Sequence, residues 1–151
     1  MGLDMYLNKK IYIGANYEHR NVTGTVDIYI HNKKVNIELN KISYIIEDIA
    51  YWRKANQIHN WFVSNVQNNN DDCGEYRVTI DQLKELLETC GKVLDNKKLA
   101  KTLLPTVSGF FFGDTEYNPD YYSDLEYTIE QLDKVLNNHD ENADYYYHSS
   151  W

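Results

Sequence analysis

Between Val26 and Leu39 the side chains alternate as a two-stranded ribbon requires. Val26, Ile28 and Ile30 interleave with Asp27, Tyr29 and His31, and Asn32-Lys33-Lys34 follow as a polar break. Val35, Ile37 and Leu39 then interleave with Asn36 and Glu38. Period-two patterning on both sides of a short turn predicts an antiparallel hairpin. Elsewhere the apolar residues recur at the 3.6-residue period of a helix. Both periods occur within one chain of 151 residues, a length that fits one core. The expected class is α+β: a mainly antiparallel sheet of four to six strands, with three or four helices packed on one side.

The remaining elements follow from the same patterns. Lys10 to Gly14 reads as a short strand, and residues 15–24 as a polar loop. From about Ile42 to Val66 the spacing predicts a long helix, with Ser43 as its cap and Ile45, Ile49, Trp52, Ala55, His59, Phe62, Val63 and Val66 on one face. Asn-rich residues 67–72 end it. Glu75 to Val78 reads as a strand. Thr79 caps the next helix, with Gln82 completing a capping box. Ile80, Leu83, Leu86, Leu87, Cys90, Val93 and Leu94 form its stripe, which makes Cys90 a buried structural thiol. Lys97 to Leu104 forms a short helix that Pro105 stops. Gly109 to Gly113 fits a buried strand or a packed loop. Asn118-Pro119 starts a last helix, and Tyr145 to His148 reads as a final strand.

Charge and cysteine content narrow the chemistry. Asp and Glu number 23 against 15 Lys and Arg, for a formal net charge of -8. Such a surface repels phosphate backbones, so direct nucleic-acid binding is disfavoured on electrostatic grounds and a basic protein partner suits it better. Cys73 and Cys90 are too few for a disulfide framework and do not have zinc-site spacing. The opening residues turn polar at once, and no apolar run approaches the roughly 20 residues that span a bilayer. A reducing cytoplasmic setting with no membrane is the expectation. No phosphate-binding loop, dinucleotide fingerprint, zinc-protease helix or serine-nucleophile elbow occurs. No cofactor and no metal are expected.

On the expected long helix, Trp52, Asn56 and His59 share the arc of the apolar residues, with Arg53 at its margin. Buried polar groups without partners cost about 1–3 kcal/mol each. These residues therefore either form an internal hydrogen-bonded network or line a pocket. In the pocket reading His59 is a candidate acid or base, and Arg53 clamps an anion. The loop Tyr17-Glu18-His19-Arg20 adds a second candidate base, His19, and a second cation, Arg20. The Cys73 thiol lies among Asp71, Asp72 and Glu75, which disfavour a thiolate.

Tyrosine is abundant, with 14 residues against 4 Phe and 3 Trp. Tyrosine suits interfaces because one ring carries an apolar face and a polar tip. Trp61, Tyr121, Tyr122, Tyr145 and Tyr147 are the expected partner-binding set; the same rings could instead seal a small core.

Several blocks carry a resemblance: Met1-Gly2-Leu3-Asp4-Met5-Tyr6-Leu7, Tyr17-Glu18-His19-Arg20, Tyr51-Trp52-Arg53-Lys54-Ala55-Asn56, Cys73-Gly74-Glu75-Tyr76, Gly109-Phe110-Phe111-Phe112-Gly113 and Ser149-Ser150-Trp151. Together they resemble small uncharacterised proteins of bacteriophages and prophages. The resemblance implies an accessory protein acting in the cytoplasm of a host bacterium by protein binding, as an acidic inhibitor of a host defence or nucleic-acid-handling protein. The alternative is a small-molecule-binding protein or small enzyme, with a pocket of His19, Arg20, Trp52, Arg53, Asn56 and His59. A third reading is a structural or virion-associated protein, which homo-oligomer formation and recovery from purified particles would mark.

Overall fold

The computed structural model describes residues 2–14 and 22–151. Its sheet begins with β1, Asp4–Tyr12. There Met5 and Leu7 turn inward while Asp4, Tyr6 and Asn8 stay partly exposed, the alternation of a half-buried strand. A ribbon of β2, Ile28–Ile30, and β3, Lys33–Val35, comes next. Its turn falls at His31 and Asn32, at φ 48° and 62°, one residue before the expected Asn32-Lys33-Lys34, whose lysines belong to β3; this is the left-handed pair that a tight hairpin needs. The ribbon is a sheet of its own, and its alternating isoleucines stay exposed rather than buried.

The long helix expected over Ile42–Val66 does not form. Strand β4, Tyr44–Arg53, occupies the first part, and helix α1, Asn56–Asn65, the second. The run Tyr44-Ile45-Ile46 followed by Ile49, Tyr51 and Trp52 is aromatic and β-branched, which suits a pleated surface. The break falls at Lys54, whose φ of 62° no helix can contain. Two backbone bonds hold it there: Lys54 N donates to Leu3 O at 2.8 Å, and Asn56 N donates to Lys54 O at 2.8 Å. The expected strand at Lys10–Gly14 is likewise corrected, since β1 starts six residues earlier and ends at Tyr12.

Beyond α1 the elements are β5, Tyr76–Val78; α2, Ile80–Asp95; α3, Ala100–Leu103; α4, Pro119–Asn137; and β6, Ala143–Ser150. Thr79 and Gln82 form the capping box. Asn118 caps α4, accepting from Tyr121 N at 3.0 Å, with Pro119 in the first turn. Gly109 to Gly113 is a packed loop that buries Phe112 and leaves Phe110 exposed.

The main sheet has the order β4-β1-β6-β5, and every neighbouring pair is antiparallel. Register aligns Trp52 with Met5 and Ser149, and Ala50 with Leu7 and Tyr147. All six are buried on one face. A bulge between Leu7 and Asn8 leaves Ile49 as the extra residue of β4, and it packs on the core. Leu83, Leu86, Cys90 and Val93 of α2 meet Leu125, Leu132 and Val135 of α4 over this face. Burial pushes the Cys90 thiol up to about 12. The architecture is therefore α+β, with an antiparallel sheet of four strands, a separate two-stranded ribbon and four helices among the described residues.

Cap and core make unequal contributions to this fold. Thr79→Ala should cost about 1 kcal/mol through the lost cap, and Leu125→Ala about 3 kcal/mol through the cavity it leaves. Urea unfolding of the two variants checks the order.

Candidate functional site

The polar residues around the Lys54 break do not open onto a pocket together. His59 is 1% exposed. Its Nδ1 lies 2.8 Å from the Tyr147 hydroxyl, and its Nε2 lies 3.0 Å from Asp71 Oδ2. A neutral ring satisfies both, donating from Nε2 to the carboxylate and accepting the tyrosine proton at Nδ1. Asp71 Oδ1 also accepts from Trp151 Nε1 at 3.2 Å. Burial drives the Tyr147 hydroxyl well above its ordinary range, so it remains a neutral donor. The Phe62 ring stacks on Tyr147 at 3.9 Å and 8°.

Trp52 and Asn56 are committed elsewhere in the interior. Trp52 Nε1 donates to Thr128 Oγ1 at 2.8 Å. Asn56 Nδ2 donates to Phe112 O at 3.1 Å and Asp114 O at 2.8 Å, and its Oδ1 accepts from Val107 N at 3.0 Å. One side chain thus braces both halves of the loop before α4. Of the two arrangements that the sequence left open, Trp52 and His59 adopt the closed network. Arg53 is exposed, 3.9 Å from Asp4. His19 and Arg20, with Tyr17 and Glu18, lie outside the described residues. Cys73 is exposed, while His59 is held by Asp71 and Tyr147 and Arg77 by Asp144.

The expected partner-binding set needs correction. Trp61, Tyr121, Tyr145 and Tyr147 are 6%, 3%, 2% and 0% exposed, and Tyr122 is half-buried. Tyr145 and Tyr147 fall in phase with the core-facing residues of β1, which turns them toward the helices. Tyr121 donates its hydroxyl to Leu104 O at 2.9 Å from inside the core. The surface that these rings do not form is supplied by the alternate positions. Tyr6 is paired with Tyr51 on one side and His148 on the other. Their rings make a continuous row, with centroids 5.2 Å apart for Tyr6 and Tyr51 and 4.7 Å apart for the stacked Tyr6 and His148. Beside it Lys10 Nζ sits 4.6 Å over the Tyr146 ring, and Tyr12 meets Tyr44 at 5.0 Å.

Cations on this open face are tied to acids. Lys10 meets Glu75 at 2.5 Å, and Arg77 meets Asp144 at 2.6 Å. Asp4 accepts the Tyr51 hydroxyl, and that bond raises the tyrosine above its ordinary range. Period-two alternation of Tyr6, Asn8, Lys10 and Tyr12 against Met5 and Leu7 was the signal for this row. It was missed because the strand was expected to begin at Lys10.

Arg53 also borders a cleft of about 470 Å³, which includes Asn56, Gln57, Asp114, Asp120 and Asp124. Desolvation pushes the Asp124 carboxyl up to about 6, opposed by its hydrogen bond from Gln57, which is 3.0 Å long. Among the described residues no group of three His, Cys, Asp or Glu side chains is placed to hold a metal ion. No described helix is long and apolar enough to cross a membrane.

Both features have measurable consequences. Asp124 is easier to protonate in the fold than in the unfolded chain, where its value is 3.8. Its contribution is therefore most favourable below that value and is lost as pH rises through about 6. Reduced for partial solvent exposure, the loss is about 1–2 kcal/mol. Asp124→Asn should flatten this decline in thermal unfolding scans between about pH 4 and pH 7. Tyr147→Phe leaves His59 Nδ1 without its donor in a dry site and should cost about 1–3 kcal/mol in denaturant titrations. Comparison of the chain with protein-family models, with curated proteins and with solved structures gives no match.

Proposed function

We propose that this chain acts by binding a protein, through the open face of its sheet, as a phage-type accessory protein inside a bacterial host. The observation that carries the reading is the aromatic row Tyr51-Tyr6-His148, with Tyr146 beside it and Tyr51 45% exposed. Tyrosine rings on a rigid strand scaffold present large contact areas at low conformational cost. Residues of this type dominate the energetics of protein interfaces.

Electrostatics supports a partner with a basic surface. The net charge is -8, and the cations of the open face are already paired with carboxylates. A phosphate backbone would have to break those pairs, whereas a partner's lysines and arginines would find acids at the rim. The acidic cleft next to Arg53 extends the same preference. A host protein that handles nucleic acid, in defence or otherwise, carries a basic surface where it meets the phosphate backbone, and covering it would inhibit it. The small-molecule alternative loses His59, Trp52 and the fully hydrogen-bonded Asn56 to the interior and keeps Arg53 at the cleft.

Affinity capture from a bacterial host extract, with wild-type chain and a Tyr6→Ala/Tyr51→Ala variant, tests the reading. A partner retained by the first and lost by the second is expected. With the purified pair, each substitution should weaken binding by about 30-fold, near 2 kcal/mol, and added salt should weaken it further. Lys84→Ala on α2 should leave binding unchanged. Equal capture by wild type and the double variant would show the open face to be uninvolved.

A further inference from the structure

Two β surfaces of this chain are left unfilled by the described residues. The first is the β2–β3 ribbon. Ile28, Tyr29 and Ile30 are consecutive, so they point to both sides of the ribbon, yet they are 42%, 62% and 57% exposed. Neither strand of the ribbon has a buried residue. A two-stranded ribbon of this length is at best marginal alone in water.

The second surface is the outer edge of β4, the end strand of the main sheet. Tyr44, Ile45 and Ile46 are 54%, 44% and 55% exposed, again on both sides of the strand. Ile13 N donates to Ser43 O at 2.9 Å, so the backbone groups of Ser43 and, by alternation, Ile45 point toward β1. Those of Tyr44 and Ile46 then point outward, and no described residue takes them. Toward the other end of the strand the edge is closed, because Tyr127 of α4 accepts from Tyr51 N at 3.2 Å. A long apolar strand edge left open is a template for another strand.

Charge distinguishes what fits there. From Ile28 to Val35 the ribbon carries Lys33 and Lys34 and no carboxylate, although the chain as a whole is at -8. The open part of β4 runs into Glu47 and Asp48. Lys34 reaches Asp27 at 2.5 Å with both side chains half-exposed; Lys33 has no ion pair among the described residues, and Glu47 meets Lys9 at 3.3 Å with its own side chain half-exposed. An apolar cationic ribbon and an apolar acidic edge therefore lie on the same chain, and they are not paired within it.

We propose that the ribbon of one copy adds to the β4 edge of a second copy, and reciprocally, forming a two-fold homodimer. Ile30 and Lys33 flank the two-residue turn as a hydrogen-bonded pair, so in β3 the backbone groups of Lys34 point outward; antiparallel pairing of Lys34 with Ile46 of the second copy places Lys33 opposite Glu47 and Val35 opposite Ile45. One symmetric exchange covers both surfaces on both chains. The aromatic row lies on the face of the sheet, not at this edge, and stays accessible.

Sedimentation and light scattering of the full chain over about a hundredfold range of concentration test the proposal. The wild type should populate a dimer, and Ile46→Lys and Ile30→Lys should each give monomer with an unchanged circular dichroism spectrum. Lys33→Glu should weaken the dimer by about tenfold or more at low salt, and Lys33→Glu with Glu47→Lys should restore it. Tyr6→Ala/Tyr51→Ala should dimerise as the wild type does, which separates this result from the partner-binding reading. A wild type that stays monomeric throughout overturns the proposal, including one whose ribbon is covered only by a different protein. So does a dimer that survives Ile46→Lys or Ile30→Lys, or a double charge reversal no tighter than Lys33→Glu.

Discussion

Phe62 stacked on Tyr147 is the contact through which the layers of this protein meet. The ring of Tyr147 belongs to β6, the third strand of the sheet, and Phe62 to the helix that follows the first edge strand. Their face-to-face contact fixes the rotation of α1 over the sheet. It also places His59, one turn earlier on α1, where the Tyr147 hydroxyl and Asp71 reach its two nitrogens. In a dry interior each of those hydrogen bonds is worth more than in water, and the loss of one is correspondingly costly. The loop before β5 and the terminal Trp151 are joined to the core through the same carboxylate.

Burial on one side of a sheet has an unavoidable counterpart on the other. With Met5, Leu7, Trp52 and Tyr147 facing the helices, the neighbouring residues must face outward. In this chain five of the eight neighbouring positions, counting Tyr6 twice together with Tyr51, Tyr146 and His148, carry aromatic rings, and Asp4, Asn8 and Arg53 fill the rest. Tyr6, Tyr51 and His148 stand side by side because three antiparallel strands bring them into register, not because they are near in sequence. The tight turn at Lys54 then lets α1 cross to the core side while Arg53 stays at the rim. Gly113 supports this turn: at φ 88° it packs against the Lys54 side chain, where an added Cβ would lie 3.2 Å from Lys54 Cβ.

The ribbon and the β4 edge lie outside this economy of one buried face. Their apolar residues point to both sides at once, so no single layer of helices could cover them. This sets them apart from the tyrosine row, whose rings share one side and rest on one another. The protein therefore presents two kinds of open surface: an aromatic face that is stable as it stands, and backbone edges whose hydrogen-bonding groups find no partner among the described residues.

What the sequence decided by itself was whatever depends on neighbours along the chain. The cap at Thr79 with Gln82, the Asn118-Pro119 start of α4, the stripe that buries Cys90 and the ribbon turn near Asn32 each involve groups within a few residues of one another. Local geometry fixes them, and the α+β class follows from their mixture. The stretch from Ile42 to Val66 was different. Its apolar spacing suits a helical arc, yet Tyr44 to Arg53 gains more by pairing along β1, and Leu3 O, some fifty residues away, receives the amide that ends the strand. Which tyrosines face water was likewise decided across strands: Tyr147 and Tyr146 are adjacent and chemically equivalent, and only the register of β6 against β1 turns one into the core and the other out. Non-local pairing wins there because a strand's inner face is specified by what lies beside and above it, and a linear sequence does not contain those distances.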